Sequence, residues 1–96
     1  MSLKNILIVE DEINLGETLA DYLTDKEFTC SYAKDAKEAR ELFQSNEYLV
    51  VLMDITLPDG NGIELAKEFK KVRSNFVLIY LSALNDSDTK YQGLEM

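Results

Sequence analysis

Three uninterrupted apolar runs constrain this chain more than any other feature: Ile6-Leu7-Ile8-Val9, Leu49-Val50-Val51-Leu52-Met53 and Phe76-Val77-Leu78-Ile79-Tyr80-Leu81. A strand with one face in water alternates apolar and polar residues. A strand without alternation needs cover on both faces, the condition of a parallel sheet between helical layers. With a fourth, more mixed run at Phe28–Ala33, strands are expected over Lys4–Val9, Phe28–Ala33, Leu49–Met53 and Phe76–Leu81.

Helical periodicity fills the gaps. Leu15, Leu19, Tyr22 and Leu23 lie on one predicted face, Ala36, Ala39, Leu42 and Phe43 on a second, and Ile63, Ala66 and Phe69 on a third. Asp35-x-x-Glu38 and Asn61-x-x-Glu64 have the capping-box form and mark where the second and third helices begin. A fourth helix is expected to open near Asp86 and run toward Met96. Strands alternating with helices specify an α/β fold: a three-layer sandwich around a parallel sheet, in the flavodoxin-like strand order 2-1-3-4. The 96 residues suffice for one domain, read as residues 1–96, with no internal linker, repeat or low-complexity segment.

In such a sheet every strand ends along the same edge, where ligands bind at the point of strand-order reversal. The first strand ends in Glu10-Asp11-Glu12, the third in Asp54 and the fourth in Ser82-Ala83. Taken singly, each has an ordinary explanation. A carboxylate after a strand is commonly a turn former or helix cap, an acidic run suits a helix N-terminus, and a serine suits a loop. Together they bring carboxylates to one edge, with neighbouring strands roughly 5 Å apart, and like charges so placed favour a cation. Oxygen donors without His suit Mg²⁺.

The charge points the same way. Eighteen acidic against ten basic residues give a net charge of −8, which repels phosphate backbones and disfavours direct nucleic-acid binding. No apolar run reaches the roughly 18 to 20 residues of a membrane span, and no signal peptide is evident, so the expected location is cytoplasmic. The single Cys30 reads as a small buried strand residue.

These residues resemble the receiver domain of bacterial two-component response regulators. Ile6 to Glu12 is similar to that family's first strand and acidic pair, and Val51-Leu52-Met53-Asp54 to the strand carrying its phosphoacceptor aspartate. Leu57-Pro58-Asp59-Gly60-Asn61-Gly62 resembles the following loop, with Pro and Gly four and eight residues after the aspartate, and Tyr80-Leu81-Ser82-Ala83 resembles the fourth strand's end. The resemblance implies that Asp54 accepts a phosphoryl group from a sensor histidine kinase, and that Glu10, Asp11, Asp54 and the Thr56 carbonyl hold Mg²⁺. It further implies that Ser82 contacts the phosphoryl group and that Ala83 leaves room for it. The domain would assist only its own phosphorylation and dephosphorylation, and its loop motif leans toward transcription regulation.

The family pattern also includes a fifth strand and helix, with a Lys at that strand's end. No residue here matches that Lys, and Lys90 falls within the predicted fourth helix. The chain is thus expected to be a C-terminally truncated receiver whose exposed fourth-strand edge is covered either by association with a second copy or by rearrangement within the monomer. Two other readings compete with a phosphoacceptor. One is an unphosphorylated pseudo-receiver used for interaction or dimerisation, which would not need the acidic set. The other is an aspartate-dependent phosphohydrolase of the haloacid dehalogenase type, in which an Asp is expected where Thr56 stands.

Overall fold

The computed structural model describes residues 4–81. The predicted fourth helix, with Ser82, Ala83 and Lys90, lies outside the described residues. Four five-residue strands form one parallel sheet: β1 (Asn5–Val9), β2 (Thr29–Ala33), β3 (Val50–Asp54) and β6 (Val77–Leu81), in the order β2-β1-β3-β6. This is the flavodoxin-like order expected from the sequence, with β6 as the fourth long strand. Register pairs Val9 with both Ala33 and Met53, and Asp54 with Leu81, so the strand ends align. After β3 the chain makes a short antiparallel hairpin, β4 (Thr56–Leu57) and β5 (Gly60–Asn61), around the Pro58-Asp59 turn.

Alternation along the strands explains the layers. Leu7, Val9, Ala33, Val51 and Met53 point to one face and join Phe43 of α2 (Ala36–Ser45) and Leu65, Ala66 and Phe69 of α3 (Gly62–Val72) in one core. There Phe43 stacks on Phe69 with centroids 4.0 Å apart, and Phe76 meets Phe43 edge-on at 5.4 Å. Ile6 and Ile8 are equally buried on the opposite face. That face also holds Tyr32, whose ring lies against Gly16 of α1 (Ile13–Asp25), so α1 covers it. A Cβ at residue 16 would overlap the Tyr32 ring.

Asp35 and Asn61 are the N-caps of α2 and α3. Asp35 accepts from the Glu38 amide at 2.8 Å, and Asn61 from the Ile63 and Glu64 amides at 2.8 and 3.2 Å. The reciprocal half of the capping box differs: Glu38 accepts from Lys34 N, one residue before the cap. Arg73 closes the other end of α2 by donating to the Phe43 and Asn46 carbonyls while its guanidinium lies over the Phe43 ring.

Two helical faces require correction. Tyr22 is 59% exposed, leaving Leu15, Leu19 and Leu23 half-buried along α1, and Ile63 is 38% exposed, the α3 face being Gly62, Leu65, Ala66 and Phe69. Cys30 is half-buried rather than buried. Among the described residues β6 pairs with β3 alone, and Val77 on it is 54% exposed. No described helix is long and apolar enough to cross a membrane.

Candidate functional site

The C-terminal edge of the sheet carries the site. Glu10 and Asp11 leave β1, Asp54 is the last residue of β3, and one carboxylate oxygen of each lies within 4.8 Å of the others. The edge geometry expected from the strand order therefore brings these three together. Glu10 and Asp54 are buried, at 4% and 0% exposure, while Asp11 is open to solvent.

Each buried carboxylate is held by the backbone that follows it. Glu10 Oε2 accepts from the Glu12 amide at 3.1 Å, and Asp54 Oδ1 from the Thr56 amide at 3.2 Å. The Glu10 backbone is fixed on both sides: its N–H donates to the Ala33 carbonyl at 3.0 Å, and its carbonyl accepts from the Tyr32 hydroxyl at 2.6 Å. Asp54 Oδ2 is buried and has no hydrogen-bond partner. A buried anionic oxygen left unpaired is costly, and a cation would satisfy it.

Electrostatics express the same strain. Burial, above all, pushes Glu10 from 4.5 up to about 8; the Glu12 amide opposes this, and contact with Asp54 adds to it. Burial also raises Asp54, although contact with Glu10 and the Thr56 amide pulls it back. Contact between the two thus favours a proton on Glu10 and an ionised Asp54. A divalent cation would replace that proton, and an all-oxygen set of two buried carboxylates and one exposed one suits a hard ion that retains water.

The loop after Asp54 is built around a close approach. The Gly62 amide donates to the Ile55 carbonyl at 2.6 Å, and a Cβ at residue 62 would overlap the Asp54 carbonyl oxygen. Gly62→Ala is expected to cost about 1 to 3 kcal/mol through backbone displacement. Urea unfolding beside wild type measures this, and an unchanged midpoint would show that the approach relaxes freely.

Thr56 is exposed in β4, with its amide on Asp54. Ser82 and Ala83 follow the last described residue. Tyr32 and Asp59 are contributors that the sequence reading did not single out. Tyr32 sits on a different strand from the group it holds, and Asp59, which looks like any turn residue in the sequence, accepts from the Ala36 and Lys37 amides of α2.

The comparisons agree with this geometry. The family model for the response regulator receiver domain matches residues 6–96. SilR of Salmonella typhimurium, a probable transcriptional regulatory protein, is 34% identical over 91 residues, and the transcriptional regulatory protein CusR of Escherichia coli K12 is 31% identical over 91. Each alignment covers 95% of this chain and 40% of the relative, so the chain spans well under half the length of these curated relatives. The HemR receiver domain of Leptospira biflexa superimposes with a TM-score of 0.78 at 35% identity, covering 95% of this chain and 73% of that one. TrrA of Thermotoga maritima, solved in complex with Mg²⁺-BeF, gives 0.78 at 33% identity, covering 94% and 80%. The fold, the acidic edge and these matches together establish that the chain belongs to the response regulator receiver domain family.

Proposed function

We propose that Asp54 accepts a phosphoryl group from the phosphohistidine of a sensor histidine kinase. In this reading Mg²⁺ is held by the Glu10, Asp11 and Asp54 carboxylates with the Thr56 carbonyl. The buried, unpartnered Asp54 Oδ2 carries the proposal, because it is a nucleophilic oxygen that no protein donor occupies.

The chemistry follows from the residues. A carboxylate nucleophile such as Asp54 needs no general base. One of its oxygens attacks phosphorus as the phosphorus–nitrogen bond to histidine breaks, and the imidazole leaves with the bonding pair. Phosphoryl transfer passes through a loose transition state, so alignment of the Asp54 oxygen by β3 and the Thr56 amide is the protein's main contribution. When bound, Mg²⁺ supplies the positive charge that offsets repulsion between Asp54 and the phosphoryl oxygens. The solved complex of TrrA with Mg²⁺-BeF supports this choice of ion. Ser82 would donate to the phosphoryl oxygens and Ala83 would admit them, a role that rests on the family resemblance.

The product adds negative charge and acceptor oxygens at the sheet edge, enough to shift loops around it. The domain acts as a signalling switch in the cytoplasm and turns over no substrate beyond its own phosphoryl group. The names of its relatives, transcriptional regulatory proteins, support an output in transcription control. Incubation with acetyl phosphate and Mg²⁺, followed by peptide mapping in the mass spectrometer, tests the reading. One phosphoryl group on Asp54, absent with chelator, is expected; a folded sample that takes no label, or takes it elsewhere, overturns the proposal.

A further inference from the structure

The turn between β4 and β5 is fastened to a helix on the far side of the loop. Of the four amides that open α2, Ala39 donates to the Asp35 carbonyl and Glu38 to the Asp35 side chain. The remaining two are taken by Asp59: Oδ1 accepts from Ala36 N at 2.8 Å and Oδ2 from Lys37 N at 3.1 Å. A carboxylate there meets both free donors and the positive end of the helix. These bonds hold the Asp59 carboxyl below its usual range, the Ala36 amide contributing most.

The fastening matters because little else restrains the tip of this loop. Strands of two residues do not hold a hairpin by themselves. Leu57 is buried and Asn61 caps α3, but Pro58, Asp59 and Gly60 are exposed, and Asp59 makes the hydrogen bonds between this tip and α2. The same segment carries Thr56, whose amide holds Asp54 Oδ1.

We infer that Asp59 is a positioning residue: by clamping the turn to the first turn of α2, it keeps the Thr56 segment against Asp54 and so sets the affinity of the acidic cluster for a divalent cation. The inference rests on the cation-site reading above. Groups that hydrogen-bond metal ligands directly typically change affinity by about 10- to 100-fold when lost, and Asp59, acting one step further out through the Thr56 segment, is expected at the lower end.

Calorimetric titration with MgCl₂ alone, on wild type, Asp59→Ala, Asp59→Asn and Asp35→Ala, tests it, with a thermal melt of each. Asp35→Ala removes the same charge from the same helix end without touching the loop. Asp59→Ala is expected to bind Mg²⁺ about tenfold more weakly than wild type, Asp59→Asn to fall between them, and Asp35→Ala to melt lower while binding within twofold of wild type. Equal binding by wild type and Asp59→Ala, or equal weakening in Asp59→Ala and Asp35→Ala, overturns the positioning role. Should Asp59→Ala not fold, Asp59→Asn against Asp35→Asn decides on the same criterion. Folded wild type that takes up no Mg²⁺ removes the underlying reading instead, and this inference with it.

Discussion

Asp54→Asn is expected to bring acetyl phosphate labelling down to background while leaving the metal-free protein folded and more stable than wild type at pH 8. The amide has nearly the shape of the carboxylate but cannot form an acyl phosphate under these conditions. It also carries no charge, so the cost of burying an anion there and the repulsion from Asp11 disappear. Its N–H₂ would stand where an acid now faces Glu10, giving that carboxylate a donor. A hydrogen bond to a charged group contributes about 1.5 to 3 kcal/mol, which sets the scale of the gain. Denaturant unfolding at pH 8 in chelator, beside the labelling assay, measures both effects. A variant that labels at the wild-type rate would remove Asp54 as the acceptor, and a destabilised one would show that the acidic edge carries no strain.

The second large effect is the pH dependence of the metal-free fold. Glu10 binds its proton more tightly when folded, being raised from 4.5 to about 8 mainly by burial. Between those values the folded state holds more protons than the unfolded chain, so stability falls as pH rises through the window and levels off above about 8. The full linkage of that shift is about 5 kcal/mol, an upper limit for one site. Asp54 is raised as well and adds in the same sense. Glu38 and Asp59 are lowered, chiefly by backbone amides, so they lose their contribution at still lower pH and place the optimum near pH 5. Magnesium at 100 times its dissociation constant would restore about 2.7 kcal/mol. Melts at pH 5, 6.5 and 8, with chelator and with Mg²⁺, should show the slope and its removal. Equal stability at pH 5 and 8 in chelator would contradict the burial argument.

How much of this was legible beforehand depended on whether the signal was local. Three of the four long strands followed from unbroken apolar runs and the fourth from a more mixed one, their order from the flavodoxin-like alternation of strands and helices, and the caps at Asp35 and Asn61 from residues three positions apart. The acidic edge was legible because a parallel sheet brings every strand end to one side, a consequence of topology rather than of side-chain detail. Tyr22 and Ile63 were misplaced because periodicity marks an apolar stripe but does not show how far the neighbouring layer covers it. Glu27, with φ of 72°, occupies the left-handed position after α1 that glycine usually marks, so no residue announced that turn. The two-residue strands β4 and β5 are too short for any pattern. The bond from Tyr32 to Glu10 and the clamp of Asp59 on α2 join residues 22 and 23 positions apart, and neither leaves a local signature.

The most direct test of the central claim is calorimetric titration of wild type with Mg²⁺ at pH 7 in two buffers of different ionisation enthalpy. A carboxyl raised to about 8 that must ionise to bind metal predicts one ion per chain with release of a proton at pH 7. Binding without proton release would contradict the assignment of Glu10. No uptake by a folded sample would contradict the cation site itself.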